Sequence, residues 1–259
     1  MASEAVRYST VSGVATLTMS QVATRNALTP ELMAGIVSGL DRATADPGAR
    51  VVVLTHDGPV FCAGADLRQG RASATVLPEV LAALQDCPRP VVARIAGACL
   101  GGGLGLATAC DLSIASEEIR LGFSEVRLGV APAIVSVVCL PKLRRGDALE
   151  AMLTGERMTA ARAAEVGLIT RAVPAGELDA AVAAVVVALR AGAPEALAAT
   201  KRMIYASAGA AGGRDAAFAE MARLSERLFA GEEAAEGRDA FREKRPPAWA
   251  GPAGPGGRD

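Results

Sequence analysis

Residues 97–111 constrain this chain more than any other stretch. They read Gly-Ala-Cys-Leu-Gly-Gly-Gly-Leu-Gly-Leu-Ala-Thr-Ala-Cys-Asp. The apolar run 91–95 before them has the character of a buried strand, and residues 104–109 after them read as a short buried helix. Consecutive glycines between a strand and a helix let the backbone take unusual dihedrals and let other groups approach closely. A helix start also leaves N–H groups unpaired and favours negative charge. Two readings fit: glycines that only permit tight packing, or a cradle of amides for an oxyanion.

The rest of the chain has the means to bury such a segment. Half of its 259 residues (51%) are apolar but only 3% are aromatic, so Ala, Val and Leu must build the core. A net charge of −1 gives no electrostatic attraction to nucleic acid or to an acidic membrane. Residues 91–110 are long and apolar enough to raise the question of a membrane span. Arg94 and the dense glycine argue against one. The five cysteines contain no Cys-x-x-Cys pair and read as buried reduced thiols, which with the absence of a signal-like N-terminus points to the cytoplasm.

Residues 11–19 alternate apolar and polar and read as a strand with one wet face. Thr29, Pro30 and Glu31 start a helix whose Leu32, Met33, Ile36, Val37 and Leu40 share one face. Residues 50–55 are a β-branched strand, 58–67 a loop and 72–86 a helix. Further strands are expected at 91–95, 112–115 and 120–123. Strands alternating with helices imply an α/β core with parallel pairing, and their roughly regular recurrence suggests a spiral. Beyond residue 131 helices are expected over 133–140, 147–153, 159–166, 177–189, 194–207, 213–230 and 232–244.

The chemistry available is narrow. The single histidine, His56, reads as a solvent-exposed loop residue. There is no zinc-ligand spacing and no phosphate-binding loop, and Leu106 and Ala107 break a Gly-x-Gly-x-x-Gly pattern. Glu125 stands among apolar residues, where a carboxyl pKa rises toward the range useful for proton transfer; a surface pairing with Arg127 or Arg120 is the alternative.

Three motifs then stand together: Arg25-Asn26-Ala27-Leu28, Phe61-Cys62-Ala63-Gly64-Ala65-Asp66-Leu67, and Gly101-Gly102-Gly103 with Cys110-Asp111. Their order and spacing resemble the crotonase family, the enoyl-CoA hydratases and isomerases. The resemblance extends to Phe123-Ser124-Glu125, Gly129-Val130-Ala131-Pro132 and Phe241-Arg242-Glu243-Lys244-Arg245.

The resemblance implies an α/β, crotonase-like spiral of ββα repeats over 1–195, a C-terminal helical oligomerisation region over 196–245 and a mobile tail over 246–259. It implies an acyl-CoA thioester as ligand, with no separate cofactor and no metal, and a homotrimer or a hexamer of paired trimers. Two backbone amides, on Ala65 and Gly102, would hold the thioester oxygen, and Glu125 would be the acid/base. Arg25, Ala27, Ala63, Asp66, Leu67, Gly101, Gly105, Pro132 and Ala133 would line the substrate or CoA site, joined by Phe241 and Lys244 from a neighbouring subunit.

Family hydratases carry a second glutamate twenty residues before the first, and here that position is Gly105. The gap expected beside Gly105 leaves three readings open. One is a hydratase-type enzyme in which Glu125 alone activates water. Another is a Δ3,Δ2-enoyl-CoA isomerase in which Glu125 shuttles a proton. The third is a non-catalytic acyl-CoA-binding protein.

Overall fold

The computed structural model describes residues 4–65, 71–207 and 231–250. Asp66, Leu67 and the helix expected over 213–230 lie outside the described residues. The chain divides into two compact units, Met1–Val186 and Val187–Asp259.

The first unit opens with a hairpin of β1 (Val6–Val11) and β2 (Val14–Met19), paired antiparallel with Val11 opposite Val14. The strand expected over 11–19 is β2, which begins only at Val14; Val11 closes β1, a strand the sequence reading did not include. Ser12 (φ 49°) and Gly13 (φ 78°) both take left-handed backbone, as a two-residue hairpin turn requires. Ala15, Leu17 and Met19 of β2 are fully buried, so the expected alternation holds there. Helix α1 (Pro30–Ala45) follows, with the Thr29 hydroxyl accepting from Leu32 N at 3.1 Å and Leu32, Met33, Ile36 and Leu40 turned into the core.

A unit of two strands and a helix then repeats. The first is β3 (Val51–His56), β4 (Val60–Cys62) and α2 (Arg71–Asp86, running through Pro78). The second is β5 (Val91–Ile95), β6 (Ala98–Leu100) and α3 (Gly102–Ala109). The third is β7 (Leu112–Ser116), β8 (Arg120–Gly122) and α4 (Ala133–Cys139), with a 3-10 turn at Glu125–Leu128 between strand and helix. Beyond them lie α5 (Arg145–Thr154), β9 (Arg157–Thr159), α6 (Ala160–Glu165), β10 (Arg171–Val173) and α7 (Leu178–Ala191), within whose sequence the division at residue 186 falls.

Each turn of the repeat adds one strand to each of two sheets. The larger runs β1-β2-β3-β5-β7-β10 and is parallel from β2 onward. The smaller runs β4-β6-β8-β9, parallel except for β9. All eight residues of α3 are buried, so the glycine-rich helix forms the axis of this unit. Cys62, Cys87, Cys99, Cys110 and Cys139 are free and buried, as the sequence suggests.

In the second unit, α8 (Pro194–Ser207) has the expected bounds and α9 spans Glu232–Glu243. Beyond residue 245, Ala248 N donates to Glu236 Oε1 at 2.7 Å and Trp249 Nε1 donates to Ala191 O at 3.0 Å, and residues 251–259 lie outside the described residues. Among the described residues no single helix is long and apolar enough to cross a membrane.

Candidate active site

The repeat brings three loop segments to one place. After the 3-10 turn Val22–Thr24, Arg25 (φ 56°) and Asn26 (φ 50°) both adopt left-handed backbone and reverse the chain. The returning segment lies along residues 63–65. Ala63 N donates to Arg25 O at 3.1 Å, Leu28 N donates to Gly64 O at 2.9 Å, and Leu28 and Ala65 form a parallel bridge. Because the peptide is trans, the Ala65 N–H points opposite to the Gly64 carbonyl and so away from Leu28.

The third segment is the start of α3. Gly101 (φ 53°, ψ −123°) occupies backbone closed to side-chain-bearing residues, and Gly102 begins the helix with its N–H unclaimed by the helical ladder. Among the described residues, neither the Ala65 nor the Gly102 amide has a hydrogen-bond acceptor. The glycines are needed here for close approach. A Cβ on Gly64 would stand 3.0 Å from Leu100 O, with Gly102 N next at 3.5 Å, and one on Gly102 would fall 2.4 Å from Leu28 Cδ1.

Glu125 faces the same place. A Cβ on Gly101 would lie 3.1 Å from Glu125 Oε1. Glu125 Oε2 is buried and has no hydrogen-bond partner among the described residues. Burial raises its carboxyl pKa above the ordinary 4.5, opposed by the bond from its own backbone amide. The surface pairing considered from sequence is not formed; Arg127 instead pairs with Glu156.

The other expected residues fall in several groups. Arg25 is exposed, Ala63 half-buried and Ala27 buried, all on the first two segments. Pro132 and Ala133 form the half-buried to exposed start of α4. Phe241 lies in α9 and Lys244, exposed and with φ 54°, just beyond it, both in the second unit. Gly105 requires a correction. It is fully buried, and no gap stands beside it: a Cβ there would fall 2.4 Å from Val135 Cγ1 and 3.0 Å from Val135 Cβ. Helix α4 packs so closely on α3 that its valine fills the place of a side chain at 105.

Sequence reasoning also misplaced His56, which is buried, not exposed. Its Nε2 accepts from Ala96 N at 3.1 Å, and its ring stands edge-on to Phe61 at 5.5 Å. It missed Lys142 as well, whose Nζ donates to Thr108 O at 2.6 Å at the end of α3. Nothing in either local sequence announced these contacts; both partners are backbone atoms from distant segments.

Residues 9–252 match the family model described as "Enoyl-CoA hydratase/isomerase". The chain belongs to the enoyl-CoA hydratase/isomerase family. A Thermus thermophilus protein named as a candidate enoyl-CoA hydratase is 34% identical over 90% of this chain and 96% of its own. A Mycosarcoma maydis enoyl-CoA isomerase/hydratase is 32% identical over 93% of this chain and 94% of its own. An enoyl-CoA hydratase structure from Mycobacterium smegmatis superposes with a TM-score of 0.88 at 29% identity, covering 95% of this chain and 98% of the other. The spiral of ββα units described above is therefore the crotonase fold of the enoyl-CoA hydratase/isomerase family.

Proposed function

We propose that this chain is an acyl-CoA enzyme of hydratase type that forms a thioester enolate, with Glu125 as its one acid/base. The observation that carries the reading is that, among the described residues, the Ala65 and Gly102 amides on neighbouring segments have no acceptor and Glu125 Oε2, whose carboxyl lies against Gly101, has no partner. Amides aimed at one oxygen stabilise the charge that develops on a thioester carbonyl, and the start of α3 adds its dipole. In hydration of a 2-enoyl thioester, Glu125 takes a proton from water as the water oxygen bonds to C3. The C2–C3 π electrons move to the thioester oxygen, and Glu125 then returns the proton to C2.

A second reading is favoured by Val135. With that side chain filling the place beside Gly105, no second carboxyl stands at that position. A single carboxyl suffices for isomerisation: Glu125 removes a proton from C2 of a 3-enoyl thioester, and the dienolate is reprotonated at C4. Arg25, Ala27, Ala63, Asp66, Leu67, Gly101, Pro132 and Ala133 serve the substrate in either reading. Phe241 and Lys244 reach it from a neighbouring subunit of a trimer or hexamer. Incubating a panel of 2-enoyl- and 3-enoyl-CoAs in deuterated water separates the two readings by mass. Hydration adds water; isomerisation adds only exchanged deuterium. No change in any member of the panel overturns both.

A further inference from the structure

Two buried polar side chains, His56 and Asn26, tie together the segments that carry the two amides. Asn26 is fully buried; its Nδ2 donates to Asp57 O at 3.1 Å and to Val60 O at 2.9 Å. It thereby joins the Arg25 loop to the turn between β3 and β4, upstream of Ala65. His56 sits at the other side of that turn. Its Nε2 accepts from Ala96 N at 3.1 Å, at the end of β5 where the chain turns toward Gly101 and Gly102. Its Nδ1 lies 3.4 Å from Asp57 O, the carbonyl that Asn26 also uses. An acceptor at Nε2 places the proton on Nδ1, so the ring is the neutral Nδ1–H tautomer.

The arrangement costs stability. Asn26 Oδ1 is buried with no partner among the described residues, and Asn26 holds left-handed backbone. Close approach continues above it. A Cβ on Gly97 would collide with Pro59 O at 2.4 Å, and one on Gly103 with Cys62 Cβ at 2.6 Å. The turn 57–60 is thus held between the two amide-bearing segments with no slack.

We propose that His56 and Asn26 are a positioning pair that fixes the separation of the Ala65 and Gly102 amides. This rests on the assignment of those amides to the thioester oxygen. Neutral His56 is required, because a proton on Nε2 would set two donors, its own and that of Ala96, against each other. Burial lowers the histidine pKa below 6.5, so the neutral form prevails at pH 7. The charged groups that bear on it are Asp57, whose carboxylate is engaged by Arg7, and Arg94 of β5, which pairs with Asp179 of α7.

The test reads the carbonyl stretch of butyryl-CoA, labelled with carbon-13 at the thioester, when bound to the full chain. A shift of the bound band to lower frequency reports amides that polarise the carbonyl. In the wild type this shift is expected together with turnover of the active enoyl-CoA. His56→Leu and Asn26→Asp are expected to move the band back toward its free position. They should lower kcat by about 10- to 100-fold with KM little changed, the cost of a misplacement near 1 Å. His56→Gln, which keeps an acceptor near the Nε2 position, is expected to restore both. Folded Leu and Asp variants with the wild-type band and kcat overturn the proposal, even if their melting temperature falls.

If those variants do not fold, wild type and His56→Gln are compared as pH is lowered from 7. The band is expected to return toward the free position in the wild type alone. A wild-type band that stays put until unfolding, or moves equally in both proteins, overturns the pairing. A wild type with neither band shift nor turnover overturns the functional reading itself.

Discussion

Val135 stands where residue 105 would carry a side chain: its Cγ1 would be 2.4 Å from a Cβ on Gly105. Both residues are buried, one on α4 and the other on α3. The contact makes glycine a packing requirement and removes the room that a second carboxyl would occupy.

Gly105→Ala should therefore destabilise the fold by about 1–3 kcal/mol, the usual cost of overpacking. Val135→Ala in the same chain should recover part of that loss. Urea midpoints measure both, and a single variant as stable as the wild type would show that α4 yields freely. Gly105→Glu alone should fare worse, while Gly105→Glu with Val135→Ala should fold and raise hydration relative to isomerisation.

Glu125→Gln should lower turnover by ~10²–10⁴ while leaving acyl-CoA binding intact. Near-normal turnover would remove Glu125 from the chemistry. The variant should also gain stability relative to the wild type at neutral pH. The folded carboxyl titrates above 4.5, so the stability tied to its protonated form is complete below pH 4.5 and is lost as pH rises through the folded pKa. The melting temperature of the wild type, measured against the variant, should accordingly fall across that interval.

Gly101→Ala combines two penalties, left-handed backbone and a methyl 3.1 Å from Glu125 Oε1. Turnover should fall by at least tenfold, about the effect of 1.4 kcal/mol on a barrier. A crystal structure of the variant should show the carboxylate displaced; an unmoved Glu125 would break the proposed contact between these segments.

Lys142→Met keeps much of the half-buried stem but leaves the Thr108 carbonyl without the Nζ donor. A loss of about 1–3 kcal/mol is expected in chemical denaturation, with kcat unaffected. A large fall in kcat at unchanged stability would instead place Lys142 in the reaction.

Light scattering at micromolar concentration should give a trimer or hexamer. Met203 and Ile204 of α8 are exposed in the isolated chain, at 39% and 59%, and should be covered in the assembly. A monomer would also remove the role proposed for Lys244.

The sequence displayed the large-sheet strands 51–56, 91–95 and 112–116 and the helix at 30–45, because each is an apolar run or face of ordinary length. It concealed β4 and β6, three residues each, which exist only through pairing with strands about forty residues away. The segments of the candidate site were legible, since glycine clusters and an acid among apolar neighbours are local signals. Packing across elements was not. Nothing near Gly105 named Val135, and nothing near His56 named Ala96, so a filled space was read as a gap and a buried ring as an exposed one.

The buried thiols give this chain an internal clock. Cys62, Cys99, Cys110 and Cys139 come from β4, β6, the end of α3 and the end of α4, and burial pushes Cys62 and Cys139 up to about 12. Burial denies a reagent access to all four in the closed molecule. With reagent in enough excess to outpace reclosing, the rate at which each thiol is labelled is the rate at which its surroundings open. Resolved cysteine by cysteine, it would report whether the turns separate one at a time or all together.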